Sequence, residues 1–394
     1  MSTTTTKNPK PHYTMNDAGN ARRIADTFKG QVLFAHDIGK WMVWEKSRWV
    51  EDQKDHVMNL ARQIPRQMVL EAMKIKDKEI KQRLLSFASK SGNHYDLKNM
   101  LAQAASLPEI ASTVARFDAD PWLLGTPGGV VDLSTGSLRA SHPDDLITKH
   151  TAVPYVPDAK CSRWLRFLEE IFEGDQELIS FVQRWAGYLL TGDVGEQVFL
   201  FLFGIGKNGK STLVKHIADV MGDYAAKSPT SLFVDSRVHD PHRPAPEIVR
   251  LKGLRFTYAS EPEEGAKLSE ARLRELTGGE PIAARDLHKS TIEFVPQVKL
   301  FMIGNHRPTV KSTTFGTWRR VQLLNFARKF SDSEVDHSLD DVLRSEYEGI
   351  LAWAVQGCLK WQEAESRSLL DQRPKPHRHR QPARPRHHSD GDRR

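Results

Sequence analysis

The chain predicts an α/β fold, in which a P-loop nucleotide-binding core of mainly parallel strands follows a mostly helical N-terminal region. Three observations predict it. The stretch Gly204-Ile205-Gly206-Lys207-Asn208-Gly209-Lys210-Ser211 fits the pattern G-x-x-x-x-G-K-[ST]. Before it, Val198 to Phe203 is an unbroken apolar run with the length of a buried parallel strand; after it, Leu213, Val214, Ile217, Ala218 and Met221 recur at helical spacing. Finally, apolar runs at 198–203, 254–259, 298–303 and 321–326 alternate with helical or loop segments, the order that lays helices on both faces of a parallel sheet.

The glycines of such a loop let successive backbone N–H groups turn inward around the β- and γ-phosphates of a nucleoside triphosphate. Lys210 adds a point charge, the Ser211 hydroxyl ligates Mg²⁺, and the helix that follows points its N-terminus at the same phosphates. Gly204, Gly206, Asn208, Gly209, Lys210, Ser211 and Thr212 are therefore the expected ATP-binding residues, with ATP and Mg²⁺ as the ligands.

The elements read in order as follows. Residues 1–14, Thr-rich with Pro9 and Pro11, lack a core-forming pattern and are expected to be disordered. A helix starts around Asn16 to Ala21, leading to short strands at Val32-Leu33-Phe34 and Trp41 to Trp44. Residues 54–117 are helical by the spacing of Val57, Leu60, Ile64, Leu84 and Phe87. Pro127-Gly128-Gly129 and Ser134-Thr135-Gly136 punctuate short apolar pieces over 119–150, as a β-hairpin region would. Helices return over 161–191, so 15–195 forms an accessory region. The nucleotide core occupies 196–330, C-terminal helices 331–366, and an Arg/His/Pro-rich tail without periodicity 367–394. The aromatic residues Phe28, Phe34, Trp41, Trp44 and Trp49 read as core rather than as stacking platforms.

Composition narrows the function classes. A chain of 394 residues has room for two or three domains. No segment reads as a signal peptide or as a long apolar span, so a soluble, cytoplasmic chain without a membrane partner is expected. Cys161 and Cys358 lack metal-ligand or redox spacing and read as small core residues. Of the net charge of +7, residues 372–394 contribute +6 (eight cations against Asp390 and Asp392), leaving +1 for the rest. Nucleic-acid contact within the body must then be a local groove rather than a global field.

Hydrolysis needs a carboxylate near the metal, at the end of a strand beside the phosphate loop. The run 254–259 ends in Ser260-Glu261-Pro262-Glu263-Glu264, which makes Glu261 the first candidate for the Mg²⁺ shell or for polarising water, and Glu264 the second. The run 298–303 ends at Asn305, whose amide can orient the lytic water or sense the γ-phosphate. Arg319 and Arg320 precede the last run and are candidates for a finger reaching a neighbouring subunit's γ-phosphate.

These segments, together with Leu276-Thr277-Gly278-Gly279-Glu280-Pro281, Gly304-Asn305-His306-Arg307-Pro308 and Trp318-Arg319-Arg320, follow an order that resembles the superfamily-3 helicases. More closely, the chain resembles the phage and plasmid primase-helicase family, to which the poxvirus primase-helicase is related. The resemblance also takes in Gly129 to Leu133 and Ala186 to Gly192, and covers roughly residues 15–365. It implies a core of the AAA+ type, a Walker A motif at Gly204, Gly209, Lys210 and Ser211, an acidic Walker B position at Glu261, a sensor at Asn305 and a finger region at Arg319 and Arg320. The family's DNA-contacting β-hairpin lies between the Walker B and sensor strands, an interval that here holds Arg285, His288 and Lys289. One cation for a phosphate and one ring for hydrogen bonding or stacking suit a single strand.

The function implied is an ATP-dependent DNA helicase of phage or plasmid replication, working in a bacterial host cell as a ring, expected to be a hexamer, on single-stranded or forked DNA. Only about 14 residues precede the accessory region, and no stretch offers a primer-synthesising active site. Primase is then a family name rather than an expected activity, and a separate primase is one partner the sequence leaves open. The tail is open to two readings, a nucleic-acid-binding arm or the product of a frameshift or truncation. The alternative function is a catalytically defective or truncated replication protein acting as a DNA-binding oligomer; a P-loop ATPase of packaging or partition is a third reading.

Overall fold

The computed structural model describes residues 13–234, 244–260, 267–286, 291–306 and 320–363. The first helix, α1 (Asp17–Thr27), starts where the Asn16 side chain accepts the Gly19 N–H at 2.9 Å. Then come β1 (Val32–Ala35), β2 (Lys40–Glu45), β3 (Arg48–Glu51), α2 (His56–Ala61), α3 (Gln63–Met73), α4 (Lys78–Ser91), α5 (His94–Ala104) and β4 (Ala111–Ser112). The strands form a sheet in the order β3-β2-β1-β4, antiparallel except for β1 with β4. Ile24, Val43, Ile64, Met68 and Met100 bury one core between this sheet and the helices. Phe28 and Trp49 are buried, and Trp41 meets Phe34 edge-on at 5.1 Å, so these aromatics pack inward.

A meander of β5 (Leu123–Thr126), β6 (Gly129–Asp132) and β7 (Ser137–Arg139) fills the expected hairpin region. Helices α6 (Ser162–Ile171) and α7 (Gln176–Leu190) follow it. The central sheet combines β8 (Phe199–Phe203), β9 (Ala225–Lys227), β10 (Phe256–Ser260), β13 (Lys299–Gly304) and β14 (Val321–Asn325). Its order is β14-β8-β13-β10-β9, and every neighbouring pair is parallel. Between these strands run α8 (Lys210–Met221), α9 (Pro246–Val249), α10 (Glu270–Thr277) and an antiparallel pair, β11 (Ile282–Arg285) with β12 (Thr291–Phe294). Helices α11 (Leu339–Ser345) and α12 (Tyr347–Glu363) close the described chain.

Both faces of the sheet are covered. Phe199 and Phe201 join Leu232, Leu251 and Leu276 on one side, while Leu200 and Leu202 join Trp164, Trp185 and Val355 on the other. That is why the run before the loop is unbroken rather than alternating. Helices α7 and α12 touch backbone to backbone: a Cβ on Gly187 would lie 2.0 Å from the Cys358 nitrogen. Cys161 and Cys358 are both buried thiols, and burial pushes them up to about 11 and about 12. No helix among the described residues is long and apolar enough to cross a membrane.

Candidate functional site

The glycine-rich loop joins the C-terminal end of β8, the second strand of five, to the start of α8. Gly204 leaves the strand at φ +148°, with no room for a side chain against the Phe326 carbonyl. Gly209 sits at φ +83°, and a Cβ there would meet the Ile171 Cγ2 at 2.4 Å, so α6 backs the turn into α8. Around Gly206 there is open space, and Ile205, Gly206 and Lys207 face solvent.

Lys210, the first residue of α8, is only 4% exposed. Its ammonium donates to the Gly204 carbonyl and to the Asn208 Oδ1, the latter at 3.0 Å. Asn208 is buried too, and its Nδ2 donates to the Ile205 carbonyl at 3.2 Å and the Phe326 carbonyl at 3.5 Å. The Asn208 side chain therefore braces the loop. The loop is held from outside as well: Phe330 N–H donates to the Lys207 carbonyl at 2.8 Å, and the Lys207 ammonium pairs with Asp332. Ser211 is exposed and Thr212 half-buried in the first turn of α8, where the helix directs its N-terminal amides. A hydroxyl in that position suits Mg²⁺, which takes few protein ligands and draws the rest from phosphate and water. Among the described residues no cluster of three or more His, Cys, Asp or Glu forms a metal cage of its own.

The sensor candidate lies beside the loop. β13 pairs with β8 so that Gly304 stands opposite Phe203, which brings Asn305, exposed, to the same edge of the sheet. β10 ends at that edge too, with Ser260 opposite Ile303. Glu261, its neighbour, lies outside the described residues, as do Glu264, Arg319, His288 and Lys289.

Arg320 stands elsewhere. It precedes β14 at the end where Val321 pairs with Phe199, at the foot of the sheet. Five residues of strand, about 17 Å, separate that end from the loop. Its guanidinium donates to Thr277 Oγ1 at 3.1 Å and to the Gln197 carbonyl at 3.5 Å. Within one chain, then, Arg320 and the loop are not brought together. The segment holding Arg285 is the β11–β12 hairpin, with Arg285 paired to Thr291 in the last described rung before the tip. Arg285 is exposed, and its carbonyl accepts from Ala245 N–H at 3.0 Å.

Sequence reasoning missed two buried cations at the foot of the sheet. Arg255 donates to the carbonyls of Leu190, Leu123 (2.7 Å) and Asp120 (3.3 Å), and stacks 4.6 Å over the Tyr224 ring. Lys299 donates to the carbonyls of Thr191, Gln297 (3.1 Å) and Asp193 (3.3 Å). Burial, with Arg255 nearby, pushes the Lys299 ammonium well below its ordinary range. The available signal was a charge inside each apolar run, in Leu254-Arg255-Phe256 and Val298-Lys299-Leu300. His216 on α8 was missed as well. It is fully buried, between the Tyr347 hydroxyl at 3.0 Å and Asp340 Oδ1 at 3.1 Å.

Residues 21–173 match the protein family described as "D5 N terminal like". The chain is 30% identical over 312 residues to a protein named "Putative helicase" from Acanthamoeba polyphaga mimivirus, a span of 74% of this chain and 32% of that protein. It is 28% identical over 242 residues to a "Putative helicase" of Invertebrate iridescent virus 6, covering 58% of this chain and 24% of the relative. A "Putative primase" of African swine fever virus is 28% identical over 253 residues, covering 61% and 26%. The chain thus spans about a third or less of the length of these curated relatives. Among solved structures, the apo C-terminal region of NrS-1 aligns with a TM-score of 0.53 at 10% identity, over 86% of this chain and 69% of that one. At that identity the likeness concerns the fold. These viral relatives infect eukaryotes, so the expected phage origin and bacterial host find no support among them.

Proposed function

The chain belongs to the primase-helicase family, and on that premise we propose that it is an ATP-dependent DNA helicase with a P-loop core of the AAA+ type. The observation that carries the proposal is that the loop leading to Lys210 and the strand end leading to Asn305 leave the same edge of a parallel sheet, from the neighbouring strands β8 and β13. Loop amides would cradle the β- and γ-phosphates of ATP. Lys210 would exchange its bonds to Gly204 and Asn208 for phosphate oxygens, while the Asn208 amide keeps the loop shaped. Mg²⁺, when bound, neutralises phosphate charge, and Ser211 and Glu261 are the residues that would hold it. Asn305 would orient the attacking water. Chemistry of this kind is mainly positioning and charge stabilisation, so a single cation carries much of it.

The finger would come from a neighbouring subunit, in a head-to-tail contact that closes into a ring, read as a hexamer. With Arg320 engaged by Thr277 and Gln197 at the sheet's foot, Arg319 is the finger in this reading. The β11–β12 hairpin would present Arg285, His288 and Lys289 to one DNA strand and move it with each ATP cycle. Priming would fall to a separate chain or to a further part of a longer assembly.

The test is strand displacement from a forked duplex. The chain should unwind it only with ATP and Mg²⁺, and a folded Lys210→Ala variant should not. Unwinding retained by that variant would overturn the proposal.

A further inference from the structure

Outside the tail, the chain's charge is unevenly placed. Residues 62–90, which contain α3, the turn after it and most of α4, hold eight Lys and Arg against three Asp and Glu, a net +5. With +6 in 372–394 and +7 in all, everything else sums to −4. The helix pair is the basic pole of an otherwise acidic body.

Its cations are available. Arg66, Lys74, Lys76, Lys78 and Arg83 are exposed and Lys81 is half-buried. None of the six enters an ion pair among the described residues, although exposed pairs form elsewhere, as between Lys40 and Glu51. Two of the three acids nearby are occupied instead. Glu71 holds the buried Arg23 at 2.8 Å, and Asp77 caps α4 by accepting from the Glu79 and Ile80 N–H groups. The positive field of this corner is therefore not cancelled locally.

We propose that the α3–α4 corner binds the sugar-phosphate backbone of duplex DNA. The inference rests on the reading of the chain as a DNA helicase and adds to it a contact on other elements than the β11–β12 hairpin. Lysines on a two-helix corner act as point charges, which position a backbone without reading bases. Helix α4, 14 residues and about 21 Å long, faces a duplex that carries one charge per about 1.7 Å of its axis. A single strand would call for stacking platforms. Here Phe87, half-buried, is the sole aromatic residue in 62–90, so the duplex is the better fit. The rival occupant is an acidic protein, for which the exposed Leu70 and Met73 would supply apolar contact.

Lysine acetylation of the full chain, read residue by residue with mass spectrometry, tests this directly and does not depend on what the basic tail binds. Duplex DNA should slow acetylation of Lys74, Lys76 and Lys78 at least about fivefold, and a Lys74→Glu/Lys76→Glu/Lys78→Glu variant should bind the duplex with a salt slope lower by about 3. Its DNA-free ATP turnover should be unchanged. Duplex bound with these lysines still modified at the unbound rate would overturn the inference and leave the helicase reading standing. Protection by single strands or by polyglutamate, but not by the duplex, would overturn it in favour of those occupants. A chain that binds no DNA and unwinds none would remove both.

Discussion

Lys299 donates its backbone N–H to the Arg255 carbonyl at 2.9 Å, which seats two cations side by side at the foot of the sheet, each no more than 2% exposed. Apart from the Gln297 carbonyl, which Lys299 also reaches, main-chain oxygens from 120–123 and 190–193 receive their side-chain bonds. At the opposite end, the same two strands lead to Glu261 and Asn305. The accessory segments are thereby bolted to the strands that present the candidate carboxylate and sensor.

Arg255→Met should therefore be costly although it removes a buried charge. The carbonyls of Leu190, Leu123 and Asp120 would lose a charged donor in a dry site, a loss of about 3 kcal/mol. Chemical denaturation checks it, and an unchanged midpoint would contradict the structural role.

Gly209→Ala tests the packing behind the phosphate loop. At φ +83° a side chain carries strain of about 1–2 kcal/mol, and the new Cβ would strike Ile171. ATP affinity should fall at least about tenfold as the loop shifts. A second change, Ile171→Ala, should recover part of it by removing the clash. Nucleotide titration of the two variants decides, and wild-type affinity in Gly209→Ala would refute the arrangement.

His216 gives a pH dependence with a definite sign. Burial lowers its pKa below 6.5, against the raising effect of Asp340. The unfolded chain then binds this proton at higher pH than the folded one. The stability contributed by the neutral ring is full above about pH 6.5 and is lost as pH falls through the folded value. His150, also lowered by burial, adds to the loss in the same window, while the lowered Asp340 acts only in more acidic solution. His216→Gln should flatten, but not abolish, the decline in melting temperature from about pH 7 to about pH 5. Identical slopes in the two proteins would contradict this.

The strands were legible because burial on both faces leaves runs such as Phe199 to Phe203 without a polar residue. The loop was legible because phosphate binding demands glycines at fixed spacing. What α6 and α7 pack against was not, since helical periodicity shows that a face is apolar without naming its partner. The structure places Trp164 and Trp185 against the central sheet, in one cluster with Leu200 and Phe301. Nor could spacing reveal Arg255 and Lys299, whose acceptors lie 65 and 108 residues away in the chain at Leu190 and Thr191. Arg320 sat next to Arg319 in sequence, and only the strand register shows that its position is the foot of the sheet.

ATP hydrolysis by the full-length chain, with and without single-stranded DNA, tests the central claim most directly. Turnover should require Mg²⁺, rise with DNA, and fall at least about 100-fold in a folded Lys210→Ala variant. Turnover that ignores both DNA and the loss of Lys210 would contradict the assignment of the loop as the motor's phosphate site.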